Sequence, residues 1–242
     1  MLKGINTVES LASDLAPLEC LKRQRSHILF VLSEPKPGHH SAFLEWYQGQ
    51  YRRSLLEIPS VLAAQHYQQH EVDITLGRFS RLPFRYLGLH ELVVDGAEAS
   101  ACLIDRIDLL HRESAAAEIP ATWLYYPVSE KVGRSPSAVP SMLTLAFANG
   151  LVGQEAEFRE WYSTRHIRHA LKIPALVSGQ CFERTLFQKP GALEPVFEVI
   201  AVYEQEGSPQ AIISSFSSLP AGSLDFPTLD TSRFAESVYQ PL

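Results

Sequence analysis

A segment of 25 residues occurs twice in this chain, and a chain made of two copies of one unit has few ways to bury both. Phe43 to Tyr67 reads FLEWYQGQYRRSLLEIPSVLAAQHY, and Phe158 to Phe182 reads FREWYSTRHIRHALKIPALVSGQCF. The offset is a constant 115, and nine of the 25 aligned positions are identical: Phe, Glu, Trp, Tyr, Arg, Leu, Ile, Pro and Gln. Internal repetition at a fixed spacing decides the architecture before any single element is assigned.

The flanks repeat as well. HILFVLSEP (His27 to Pro35) precedes the first copy and MLTLAFANG (Met142 to Gly150) the second, both short apolar runs closed by turn residues. Such runs read as buried strands. Each copy is followed by a further strand-like run, RYLGLHELVV (Arg85 to Val94) and VFEVIAVYEQ (Val196 to Gln205). Then come turns containing Gly96 and Gly207, helix-like AEASACLIDRIDLLHRE and SPQAIISSFSSL, and closing strands in TWLYYPVSE and RFAESVYQPL.

Each half is therefore ordered β-α-β-β-α-β, a ferredoxin-like unit. The expected division is an arm over residues 1–26, a first half over 27–130, a linker over 131–140 and a second half over 141–242. EKVGRSPSAVP, rich in Pro, Ser and Gly, marks the linker, and Pro17 interrupts any long helix in the arm.

A ferredoxin-like sheet has helices on one face and an apolar bare face on the other, which must be buried. Stacking the two bare faces gives an α+β fold, two ferredoxin-like halves packed as an intrachain dimeric α/β barrel. Eight strands would close, or nearly close, with helices outside and a small-molecule pocket expected between the sheets. Strands left at the seams could pair with another chain, so a homodimer is also an expectation.

Composition narrows the function. Net charge is −6 with both signs scattered, so the basic footprint of a nucleic-acid binder is missing. No apolar run approaches the roughly 18–20 residues that cross a bilayer. The N-terminal residues lack the apolar core of a signal peptide. Cys20, Cys102 and Cys181 are odd in number and form no C-x-x-C, which argues against a disulfide framework or a zinc site and for a cytoplasmic setting. G-x-S-x-G, the P-loop, G-x-G-x-x-G and the EF-hand loop are all missing.

The repeated helix of the second half should run from Gln154 to Lys172. At about 100° per residue, Phe158, Trp161, Tyr162, Arg165 and His169 share one stripe, with His166 at its edge. The first half carries Phe43, Trp46, Tyr47, Gln50 and Ser54 there, and Tyr51 in place of His166. The scaffold repeats while the titratable residues do not, so one half should hold a specialised site.

His166 can exchange a proton near neutral pH; the plainer alternative is a helix-surface histidine. With His169 it forms H-x-x-H, a spacing that can place two nitrogens on a metal, but no acidic residue completes a set. Arg165 and Arg168 could hold a carboxylate, or pair on the surface with Glu160 or Glu157. Trp161, Tyr162, Trp46 and Tyr47 should pack helix on sheet, with a hydroxyl free to reach the cavity. His66, His90 and Tyr203 lie in strands whose alternation would turn some of them into the barrel cavity. His39 and His40 belong to an exposed turn.

The pattern F-x-E-W-Y-x3-H-x6-I-P-x-L, running from Phe158 to Leu176 after a strand, resembles the EthD-like group of dimeric α/β-barrel proteins, and the likeness extends over both halves. The resemblance implies that His166 is the functional histidine, with Trp161 and Tyr162 beside it; Tyr51 departs from the pattern in the first half. Members of this superfamily include cofactor-independent decarboxylases, cyclases, isomerases and monooxygenases on aromatic or polyketide-like compounds, and some bind heme.

The expectation is therefore a cofactor-independent lyase of decarboxylase type acting on an aromatic or polyketide-like acid. His166, Tyr162 and His90 would be catalytic. Trp161, Arg165, His169, Tyr51, Trp46, Tyr47, His66 and Tyr203 would line the substrate, with no metal. An isomerase, a cyclase, a cofactor-free monooxygenase, a heme protein and a non-catalytic binding protein are the alternatives.

Overall fold

The computed structural model describes residues 26–137, 141–188, 196–217 and 226–242. The arm expected over 1–26 lies outside them apart from Ser26. The first half comprises β1 (Ser26–Ser33), α1 (His40–Trp46), a π-helical turn (Tyr47–Tyr51), α2 (Arg52–Leu56), β2 (Val61–Gln69), β3 (Tyr86–Val93), α3 (Gly96–Glu113) and β4 (Ala121–Pro127). A two-residue strand β5 (Val132–Gly133) follows. The second half repeats the order: β6 (Met142–Ala148), α4 (Glu155–Trp161), a π-helical turn (Tyr162–His166), α5 (Ile167–Ala170), β7 (Leu176–Arg184), β8 (Val199–Gln205), α6 (Pro209–Ser217) and β9 (Ala235–Pro241).

The strands run in the order β4-β1-β3-β2-β9-β6-β8-β7, and β7 pairs back onto β4, so eight strands close into a barrel. Both seams are made within the chain: Tyr67, Gln68 and Gln69 pair with Pro241, Gln240 and Tyr239, and Tyr125, Tyr126 and Pro127 pair with Arg184, Glu183 and Phe182. The seam edges thought free to recruit a second copy are thus occupied, and a dimer would have to use another surface.

Strand alternation sorts the apolar residues into three layers. Phe30, Tyr67, Trp123, Tyr125, Phe147, Phe182, Phe197 and Tyr239 point into the barrel. Residues of the opposite parity meet the helices in one layer per half.

The barrel interior is filled by edge-to-face aromatic pairs, Phe30 with Tyr125 at 5.5 Å and Trp123 with Phe147 at 5.9 Å between centroids. Eight strands leave room for little more than side chains. The phenols there all have partners, Tyr125 donating to Phe197 O at 2.9 Å, Tyr239 to Phe84 O at 3.2 Å and Tyr67 to the Gln65 side-chain oxygen. The pocket expected between the sheets is therefore a packed core.

The described part of the linker, residues 131–137, is docked. β5 pairs with Gly179 and Ser178 of β7, and Arg134 forms an ion pair with Glu206. Gly133 has φ +105°, and a Cβ there would sit 2.3 Å from Val177 O, so only glycine fits.

Phe147 touches both sheets' aromatic residues. Phe147→Ala should lower unfolding free energy by about 3–5 kcal/mol, read as a reduced urea midpoint with an unchanged slope.

Candidate functional site

Both repeated helices widen into a π turn at the same place, Tyr47–Tyr51 and Tyr162–His166. A π turn inserts one residue into the helical register and is often found at functional sites. In the second half Ser163 Oγ and Thr164 Oγ1 donate back to Arg159 O and Glu160 O at 2.8 and 2.6 Å, satisfying carbonyls the wide turn loosens.

The extra residue corrects the stripe drawn on a regular helix. The buried positions are Tyr162, Ile167 and Ala170, while Arg165, Arg168 and His169 face solvent. The substrate roles expected for Arg165 and His169 find no support in that placement.

Under the first-half helix, Tyr47, Tyr51, His66 and His90 form one cluster between helix and sheet. Tyr47 stacks on His66 with centroids 4.2 Å apart and on Tyr51 at 5.3 Å. His66 and His90 are 5.6 Å apart, Tyr51 and His90 6.3 Å. His66 and His90 sit on β2 and β3 and face the helices, not the barrel interior; parity opposite to Tyr67 and Leu87 puts them there.

Gly88, the register partner of His66, makes the space. A Cβ at Gly88 would come 2.7 Å from His90 Nε2 and 3.2 Å from the Tyr47 hydroxyl.

Six polar atoms in this cluster are buried without a well-aligned hydrogen bond among the described residues: the Tyr47 and Tyr51 hydroxyls and both ring nitrogens of His66 and His90. Ser33 approaches Tyr47, and the main chain of Tyr47 and Leu89 approaches His66 and His90, but with poor alignment. Thr122 Oγ1 is likewise buried without a partner among the described residues. Leaving such groups unpaired costs about 1–3 kcal/mol each, so each calls for a partner that ordered water, a ligand or a catalytic role supplies.

Burial pushes the His90 imidazole down to about 3 and His66 well below its ordinary value, with charge on His90 and then Arg52 opposing His66 protonation further. Burial also raises the Tyr47 and Tyr51 phenols far above the usual range. The resting cluster is therefore uncharged at neutral pH.

His111, which the sequence reading did not single out, packs edge-on against Tyr51 at 4.7 Å and Trp46 at 5.1 Å. Its Nε2 lies 3.1 Å from Ser33 Oγ and its Nδ1 3.2 Å from Ile107 O, and burial holds it at about 4. Its signal was present in the apolar stripe Leu103, Ile104, Ile107 and His111 of α3.

Trp46, Gln50, Tyr51, Ser54, Leu110 and Glu113 line a surface cleft of about 250 Å³. Tyr51 belongs to both cleft and cluster.

In the second half Tyr162 stacks on His166 at 4.7 Å and 9°, and Trp161 lies 4.9 Å from His166 and 3.6 Å from Phe226. The Tyr162 hydroxyl donates to Ala146 O at 3.0 Å, a structural commitment that leaves it no proton to give a substrate. His166 is half-buried but its Nδ1 is covered and unpartnered, and burial, then His169, pushes it down to about 4. Tyr203 is buried facing the helix layer, with an unpartnered hydroxyl.

Tyrosine and histidine have thus changed places between the halves. Tyr51 on the helix faces His90 on the sheet; in the repeat, His166 occupies the helix position and Tyr203 the strand position.

The described first-half cleft does not fit a heme. The cleft has no histidine in its lining and is smaller than the about 300–1,000 Å³ of sites for drug-sized ligands. The His166 ring packs against Tyr162 on one side and Trp161 on another. Among the described residues no group of three or more His, Cys, Asp or Glu is placed to hold a metal, and no helix is long and apolar enough to cross a membrane.

No family model and no curated protein matches this chain. Solved structures do. A protein of Fusobacterium nucleatum described as a candidate monooxygenase superposes with a TM-score of 0.58 at 8% identity, over 91% of this chain and 94% of that one. An anthrone oxidase-like protein gives 0.57 at 8% identity over 91% and 92%. A candidate chlorite dismutase gives 0.52 at 10% identity over 90% and 95%. The shared feature is the fold: two ferredoxin-like halves in one barrel.

Two measurements check this site. Gly88→Ala must displace the His90 ring and should destabilise by about 1–3 kcal/mol, with the His90 ring resonances shifting most in NMR spectra. Four histidines (66, 90, 111 and 166) stay neutral in the folded chain to pH values well below 6.5, whereas unfolding lets them take up protons. Stability should be full above pH about 6.5 and fall towards pH 4, by up to about 1.4 kcal/mol per histidine per pH unit, in chemical-denaturation titrations.

Proposed function

We propose that this protein is a cofactor-independent enzyme that removes a proton from an uncharged phenolic or polycyclic aromatic molecule seated in the first-half cleft. The observation that carries the reading is the set of six polar atoms without a well-aligned hydrogen bond on Tyr47, Tyr51, His66 and His90. A neutral imidazole pair in a dry site accepts a proton only if the matching negative charge arrives close by. That condition ties protonation of histidine to formation of a substrate anion.

Trp46 and Leu110 supply apolar walls for an aromatic ring. Tyr51 is the residue that the cleft and the imidazole cluster share, so it is assigned the relay between them, a role that requires its buried hydroxyl to close on a ring nitrogen when substrate binds. Tyr51 takes the substrate proton as it gives its own to the histidine pair. The two transfers are concerted, because burial disfavours a free tyrosinate. Tyr47 lies behind, its hydroxyl close to Gly88 and available to the same network.

Decarboxylation is less suited to this cleft. Its lining contains no cationic side chain, and Glu113 at the rim repels a carboxylate. A carbanion formed on a phenolic ring system can instead be attacked by dioxygen. The hydroperoxide then loses water, so that CH2 and O2 become C=O and H2O. The fold held in common with an anthrone oxidase-like protein and a candidate monooxygenase supports this branch, as does the EthD-like pattern. Isomerisation, in which the proton is returned at another carbon, uses the same groups and differs in consuming no oxygen.

The test is turnover of anthrone followed with an oxygen electrode. Tyr51→Phe and His90→Gln should each lower the rate about 10²–10⁴-fold with the fold intact by circular dichroism. Between pH 5 and 8 the rate should be flat, because the accepting imidazoles titrate below that window. A limb near pH 6.5, or loss of turnover in His166→Gln but not in His90→Gln, would move the chemistry out of the first half.

A further inference from the structure

The π turn is built differently in the two halves. In the second half it is braced by side chains. Ser163 Oγ donates to Arg159 O and Glu160 O at 2.8 and 3.3 Å, and Thr164 Oγ1 to Glu160 O at 2.6 Å. At the constant offset of 115, the first-half residues in those places are Gln48 and Gly49. Gln48 is exposed and has no hydroxyl, and Gly49 has no side chain.

Nothing around position 49 demands a glycine. Its φ is not in the left-handed region, and a Cβ added there would meet nothing within 4 Å. Glycine inside a helix keeps the widest backbone freedom and weakens the helix relative to alanine. The hydrogen-bond spacing beside it is uneven as well. Straight after the wide turn, Arg52 N–H donates to Gly49 O, a step of only three residues. Wide and narrow steps side by side give the main chain a neighbouring register to move into.

The place of the turn gives that freedom a use. Tyr47 stands at one end of it and Tyr51 at the other. Trp46, Gln50, Tyr51 and Ser54, all from this stretch of helix, line the cleft. A molecule in the cleft therefore bears on the turn directly and can favour one arrangement over another. On its inner side Tyr51 faces the His66 and His90 rings at 5.5 and 6.3 Å, its hydroxyl buried without a well-aligned hydrogen bond. Because the phenol is long, a small rotation about the helix axis carries its hydroxyl much farther than it moves the backbone.

We propose that the first-half π turn is a hinge centred on Gly49, and that filling the cleft swings it so that the Tyr51 hydroxyl closes on the His66–His90 pair. The second-half turn, braced by Ser163 and Thr164, is its fixed counterpart. The catalytic consequence rests on the relay proposed for Tyr51; the contrast between the two turns does not. Gly49 is thus a positioning residue, one that acts through Tyr51 by absorbing the backbone change.

The test compares amide hydrogen exchange in residues 47–56 and 162–171 by mass spectrometry. In wild type the first segment should exchange at least about tenfold faster than the second, corrected for intrinsic rates. The double substitution Gln48→Ser with Gly49→Thr gives the first turn the braces of the second. Its first segment should slow at least about tenfold, with a melting temperature no lower than wild type. Turnover of anthrone should then lose at least about tenfold in kcat while KM stays within about threefold, because the cleft is intact and only the closing step is impeded. Gly49→Ala, the milder change, should shift exchange and kcat in the same directions. The reverse swap, Ser163→Gln with Thr164→Gly, should loosen the second turn and leave turnover unchanged.

Equal exchange in the two wild-type turns would overturn the proposal, as would a braced first turn that exchanges as fast as before. So would slowed exchange with full kcat, or a defect confined to KM. A wild type that leaves anthrone untouched counts against the proposed reaction; the hinge is then upheld or overturned by the exchange of wild type and double variant alone.

Discussion

Closure of the sheet at its two seams is the constraint on which everything else rests. Three residue pairs between β2 and β9, and three between β4 and β7, turn two four-stranded sheets into one barrel. Closure removes the exposed edges and commits one parity of every strand to a dry interior. The aromatic residues of that parity fill the interior, so ligand chemistry is displaced to the other face, beneath the helices.

Displacement to the helix layer sets the electrostatics. A histidine between a packed helix and a sheet has little water to solvate its charge, and burial dominates the behaviour of His66, His90, His111 and His166 alike. Such groups are poor bases in isolation and useful ones only when a substrate anion forms beside them. The orphaned hydroxyls of Tyr47 and Tyr51 belong to the same economy of charge: neutral, unpaired and close to the imidazoles.

Duplication supplied one scaffold twice, and divergence distributed different side chains over it. Phe43 and Phe158, Trp46 and Trp161, Tyr47 and Tyr162 do comparable packing work in the two halves. At the variable positions Tyr51 and His90 answer to His166 and Tyr203, and Leu29 and Leu92 to Thr144 and Gln205. The first layer is aromatic and rich in imidazole; the second has Thr144 and Gln205 where the first has Leu29 and Leu92.

Much of this was legible in the chain itself. The repeat, the β-α-β-β-α-β order and the stacking of two bare apolar faces follow from periodicity and from the need to bury what is apolar, which are local properties that survive without coordinates. The packed interior was not legible. Whether facing side chains leave a pocket depends on how the volumes of Phe30, Trp123, Phe147 and Phe197 sum across strands far apart in sequence. The π turns were equally hidden, because one inserted residue changes no composition yet rotates Arg165 and His169 into solvent. His66 and His90 could be placed on strands from alternation, but the face they take was fixed only when the seams closed. Tertiary structure decided which parity is inside, and therefore where the chemistry can be.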